Sequence, residues 1–114
     1  MRDNYSGVDS SDCDMSALVL TGLNFTGSNL TGVDLTSTWL TGADLHDVNL
    51  TGSILTRTKL DNASLVNVNL TGAYMHRADL TGANLTSANL TGAFLRGTNL
   101  TDVVGADLTG AILE

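Results

Sequence analysis

The sequence predicts an all-β solenoid of about five four-sided coils, and three observations predict it. A large apolar residue returns at every fifth position for eighteen consecutive positions, from Met15 to Leu100. Glycine often follows two residues later, where a tight turn needs positive φ. A second period of twenty overlies the first: Asn29-Leu30-Thr31-Gly32 returns at Asn49, Asn69 and Asn89. Twenty residues therefore restore the same environment, which implies four five-residue units per coil.

Residues 1–12 match the period only at Val8 and are read as an N-terminal tail or cap. The array proper occupies residues 13–114. Its expected inward column is Leu20, Phe25, Leu30, Leu35, Leu40, Leu45, Leu50, Leu55, Leu60, Leu65, Leu70, Met75, Leu80, Leu85, Leu90, Leu95 and Leu100. A small or modest residue sits two positions before each, as at Val33, Thr38, Ala43, Val48 and Ser53. A helix repeats near 3.6 residues and a strand at 2, so a period of five requires a backbone that itself repeats every five. The two inward residues, two apart, form a short extended face, and the residues after them turn a corner. Such faces stack coil on coil at ~4.8 Å. After Leu100 the column resumes at Leu108 and Leu113. The step of eight is read as a register break near 102–105, three extra residues bulging at one corner.

Ala83-Asn84-Leu85-Thr86-Ser87 and Ala78-Asp79-Leu80-Thr81-Gly82 resemble the A(D/N)LXX signature of pentapeptide-repeat proteins, over roughly residues 13 to 114. The resemblance implies a right-handed quadrilateral β-helix with the central Leu inward. Handedness comes from the resemblance alone. It also implies a bacterial type of protein, and a homodimer formed through the C-terminal end, as related proteins associate in this manner. Some members resemble duplex DNA and occupy the DNA site of gyrase.

Five Lys and Arg against twelve Asp and Glu give a net charge of −7, which disfavours nucleic acid and anionic membrane as partners. A single cysteine, Cys13, excludes an internal disulfide. No apolar stretch at the start reads as a signal peptide, and no apolar run approaches the ~20 residues of a membrane span. The expected location is the cytoplasm.

No arrangement of residues points to catalysis, a cofactor or a metal, so the chain is read as non-enzymatic. His46 and His76 are 30 residues apart, on opposite sides of the coil. Cys13 falls in a small inward slot and is expected as a buried, inert thiol. Seven Asn-X-Thr triplets arise from the repeat itself rather than as glycosylation acceptors. The Asn29, Asn49, Asn69, Asn89 column is expected to form an amide ladder. Regular Thr ranks resemble ice-binding surfaces, although each face offers only one. One outer stripe departs from the repeat. On the face of Leu35, Leu55, Met75 and Leu95, the preceding outward residues are Asp34, Ile54, Tyr74 and Phe94, with Arg57, Arg77 and Arg96 near the same corner. Aromatics with arginine are enriched at protein interfaces. The expected function is therefore a protein-binding or scaffolding module presenting a rigid surface, with Ile54, Tyr74, Phe94, Arg57, Arg77 and Arg96 as its contact residues. The alternatives are a DNA-mimicking inhibitor or protector of gyrase and, less favoured, an ice-binding protein.

Overall fold

The computed structural model describes residues 4–114. Following the five backbone N–H groups of one unit shows why five residues suffice. Leu50 N–H donates to the Asn69 carbonyl of the next coil at 2.8 Å, and Gly52 N–H donates to the Thr71 carbonyl at 2.9 Å. Ser53 N–H closes a turn on the Leu50 carbonyl at 3.0 Å, and Ile54 N–H reaches back to Val33 of the preceding coil at 2.9 Å. The remaining donor, on Thr51, goes to Asn49 Oδ1 at 3.0 Å. Every amide is satisfied, and three of the five bonds tie one coil to another.

The third residue of each turn has positive φ, as a type II turn requires. Gly52 does so at φ 64, and ten non-glycine residues, Asn67 and Arg77 among them, adopt the same conformation. Glycine is therefore a preference at these corners and not a condition.

Parallel bridges join residues twenty apart and define four faces. Face one carries Asn4, Asn24, Asp44, Ser64, Asn84 and Val104; face two carries Asp9, Asn29, Asn49, Asn69 and Asn89. Face three carries Asp14, Asp34, Ile54, Tyr74, Phe94 and Ile112, and face four carries Val19, Trp39, Lys59, Asp79 and Asn99. Each face is a single bridge wide, because only three residues separate successive turns. Among the described residues the sheet-like bonding runs up the stack and no run is long enough to count as a strand.

The N-terminal boundary moves. Of the expected tail or cap, residues 1–3 lie outside the described residues, while 4–12 follow the coil. Tyr5 N–H donates to Asn24 O at 2.7 Å and Ser10 N–H to Asn29 O at 2.9 Å. Tyr5 occupies the inward slot and its ring stacks on Phe25 at 5.4 Å between centroids. The apolar pattern concealed this, because the inward slots hold Tyr5 and Ser10 where Leu stands elsewhere.

Leu30 through Leu85 in the inward column are completely enclosed, and Leu90 and Leu95 nearly so. Leu20, Leu100 and Leu108 only pack against this core. Leu113, assigned to the core from its spacing, is 60% exposed, and Cys13, expected to be buried, is exposed. Both sit in inward slots of the outermost coils, where only one neighbouring coil covers them. Inward hydroxyls reach carbonyls of the coil before: Thr58 Oγ1 donates to Leu35 O at 2.7 Å and Thr98 Oγ1 to Met75 O at 2.6 Å. Ser53 Oγ, equally buried, makes no such bond.

The register break is a shortened corner and not a bulge. Val104 still pairs with Asn84 at an offset of twenty, but Ile112 pairs with Phe94 at an offset of eighteen. Gly105 stands where the inward Leu belongs, and the two turn residues that should follow are absent before Ala106. The step of eight is thus two units less two residues. Gly105, at φ 70, makes the bend by itself, and a Cβ there would lie 3.0 Å from Thr86 Cα.

Candidate functional site

The bond from Asn49 to Thr51 explains the composition of the repeat. The same oxygen also accepts the Thr51 hydroxyl at 2.6 Å, and the pattern recurs at Asn29, Asn69, Asn84 and Asn89. An Asn or Asp before the inward Leu therefore caps the following turn, which is the Asx motif. This corrects the expected amide ladder. Among the described residues the Asn side-chain oxygens of face two bind the threonine two residues ahead, and no amide–amide bond runs along the column. The same bonding ties those Thr hydroxyls into their own turns, which removes the motive for an ice-binding rank. At Asp79 the Thr81 hydroxyl and amide hold the carboxyl below the ordinary carboxylate range, with a smaller pull from Lys59.

Faces three and four both depart from this rule: Val19, Trp39 and Lys59 on face four cannot cap either, but only on face three are all three replacements apolar. Ile54, Tyr74 and Phe94 occupy the capping position in three successive coils and cannot cap. Among the described residues the amides of Thr56, His76 and Arg96 accordingly find no protein acceptor. What replaces the caps is an apolar stripe. Tyr74 and Phe94 stack in parallel, centroids 5.0 Å apart and planes 5° from coplanar, and His76 lies over Phe94 at 6.2 Å. Ile54 is 37% exposed and Tyr74 44%. Ile112 extends the stripe upward through its bridge to Phe94. The shortened corner had hidden it from a count in fives, although Ala111-Ile112-Leu113 carries the same small-outward-Leu pattern.

The corner between faces three and four holds the cations. Arg57 and Arg77 occupy its positive-φ position, and Arg96 precedes Gly97 there. A Cβ on Gly97 would press on Arg77 Cγ at 3.2 Å, so glycine leaves room for the aliphatic stem of Arg77. His76, Arg77, Arg96 and Gly97 line a shallow depression beside the aromatic stack. Across the corner, Lys59 Nζ sits 5.2 Å from the ring centroid of Trp39, a residue 49% exposed. Neither Trp39 nor Lys59 stood out in the sequence, because they lie fifteen residues before Ile54 and five after it and share no face with the stripe.

Among the described residues the one ion pair is His46 with Asp47 at 3.6 Å. Arg57, Lys59, Arg77 and Arg96 thus stand unpaired in a chain of net charge −7. The six residues expected at the contact surface are therefore gathered in two adjacent rows, one apolar and one cationic. The acidic side chains are dispersed over all four faces and interrupted by Asn, Ser and Val. His46 and His76 belong to opposite corners, and no three His, Cys, Asp or Glu among the described residues are placed to hold a metal. Among the described residues no helix is long and apolar enough to cross a membrane.

A family model described as pentapeptide repeats matches over residues 4–32, 11–47, 28–65, 63–102 and 78–114. Among solved structures, a pentapeptide repeat protein of the Arabidopsis thaliana thylakoid lumen is similar at 29% identity, over 92% of this chain and 73% of that one, with a TM-score of 0.87. The pentapeptide repeat protein Rfr23 of the cyanobacterium Cyanothece 51142 is similar at 24% identity, over 97% and 88%, with a TM-score of 0.68. QnrB1, a plasmid-mediated fluoroquinolone resistance protein, superposes only at a TM-score of 0.43 with 19% identity, over 97% of this chain and 65% of that one. No curated protein matches the sequence.

Proposed function

The chain belongs to the pentapeptide-repeat family, and from that premise we propose that it is a non-enzymatic, cytoplasmic protein-binding module built as a right-handed quadrilateral β-helix. One observation carries the binding role: on face three, three successive capping positions hold the apolar Ile54, Tyr74 and Phe94, beside Arg57, Arg77 and Arg96, which have no ion-pair partner among the described residues. Departures from a local rule that agree with one another in space mark functional sites. The rigid stack supports this reading, because a preformed surface loses little entropy on binding.

Replacing Ile54, Tyr74 and Phe94 together by Ser is the test. The variant should keep its parallel bridges and melt within about 10 °C of the parent, since outward side chains contribute little to the core. Quantitative affinity capture should show partner proteins held by the parent and lost, by at least about tenfold, from the variant. Unfolding of the variant would make the stripe structural, and identical capture by both proteins would end the proposal.

Val104, Ile112 and Leu113 are exposed on the last coil described, and they support self-association through that end. A dimer that dissociates in sedimentation on Leu113→Asp is expected; a parent that sediments as a monomer at all concentrations removes this contact.

A further inference from the structure

We infer that the stripe and its arginine corner take an extended peptide segment in which acidic and apolar side chains alternate. This rests on the protein-binding reading and adds the chemistry of the partner. The surface consists of two parallel rows that run up the stack, one corner apart: Ile54, Tyr74 and Phe94 in one, Arg57, Arg77 and Arg96 in the other. Coils repeat at ~4.8 Å, so three levels and the step to Ile112 span about 14 Å, the length of four or five extended residues. Successive side chains of an extended segment point to opposite sides. A segment laid between the rows presents its odd side chains to one and its even side chains to the other.

The arginine row selects acidic groups. The guanidiniums have no carboxylate within ion-pair reach among the described residues, and they hold planar carboxylates in paired hydrogen bonds. The stripe selects apolar groups and disfavours nucleobases. Tyr74 and Phe94 use their facing surfaces on each other at 5.0 Å, and His76 covers part of Phe94. A single strand needs open ring faces on which bases stack. The net charge of −7 also opposes a dense polyanion, while a few carboxylates within a Debye length of the arginines are still attracted.

Fluorescence anisotropy on the intact chain tests this with labelled peptides of about eight residues, long enough to pass both ends of the rows. The probes are alternating Asp and Leu, the same composition in two blocks, alternating Lys and Leu, and oligothymidylate. The alternating acidic peptide should bind at least about tenfold more tightly than its block-ordered isomer, and more weakly as salt rises. Arg77→Glu combined with Arg96→Glu should lose about tenfold for that peptide and gain affinity for the Lys–Leu peptide, and Tyr74→Ser should lose about tenfold with no such reversal. Equal binding of the two orders, no exchange of preference on charge reversal, or tighter binding of oligothymidylate overturns the inference. If the peptides fail while the Ile54, Tyr74, Phe94 triple variant still loses its captured partners, the peptide class falls and the protein-binding reading stands. If capture is unaffected as well, both fall.

Discussion

Leu50→Asp should unfold the central coils, whereas Thr51→Asp, one residue on, should leave the protein folded. Leu50 is wholly enclosed in the inward column between Leu30 and Leu70. The substitution removes a buried Leu, which costs about 2–5 kcal/mol, and inserts an unpaired polar group that costs more. Such a sum approaches the whole stability of a domain this size. Because each coil rests only on its neighbours, the damage spreads up and down the stack. A carboxyl forced into this site stays neutral, since burial raises its pKa. Folded protein then holds a proton that the unfolded chain has released above the ordinary carboxylate range. Whatever structure persists should therefore weaken further as pH rises through that range and recover as it falls. Thr51 faces outward, and replacing it forfeits mainly the bond to Asn49 Oδ1, about 1 kcal/mol. Circular dichroism melts of the two variants decide the matter. Equal melting temperatures would mean that the inward and outward assignments are reversed or absent.

Gly105→Ala should be the most damaging single change of a glycine, well beyond Gly52→Ala. Both residues have positive φ, 70 and 64, so each substitution carries the left-handed penalty of about 1 kcal/mol. At Gly52 a methyl group enters open space. At Gly105 it meets Thr86, with the hydroxyl oxygen 2.5 Å and the Cα 3.0 Å away, and the Cα belongs to a corner fixed by its own hydrogen bonds. The shortened corner must then open, which breaks the pairing of Phe94 with Ile112 above it. A total loss of roughly 2–4 kcal/mol is expected, and the last coil should gain hydrogen exchange before the rest. Similar melting temperatures for Gly52→Ala and Gly105→Ala would show that the corner has slack.

The inward column from Leu30 to Leu95 and the twenty-residue coil were legible because each arises from local chemistry repeated without interruption. The stripe was legible for the same reason: Ile54, Tyr74 and Phe94 stand at the one position where the repeat otherwise prefers Asn or Asp. Ile112 was not, since one missing pair of turn residues moves every later position out of phase. The cap itself escaped notice. A column of asparagines suggests bonding along the column, and only the coordinates show Oδ1 directed to the threonine two residues ahead.

The sequence by itself determined the repeat, the four faces and the family, because like five-residue units, stacked twenty residues apart, meet the same backbone partners in every coil. The tertiary structure alone decided which inward slots are truly enclosed, how the register break is made, and that Arg57, Arg77 and Arg96 have no acidic partner among the described residues. Those properties depend on which coil lies above and below a residue. Cys13 and Leu113 carry inward spacing yet meet solvent, because burial in a stack is supplied by neighbouring coils and not by the residue's own place in the repeat.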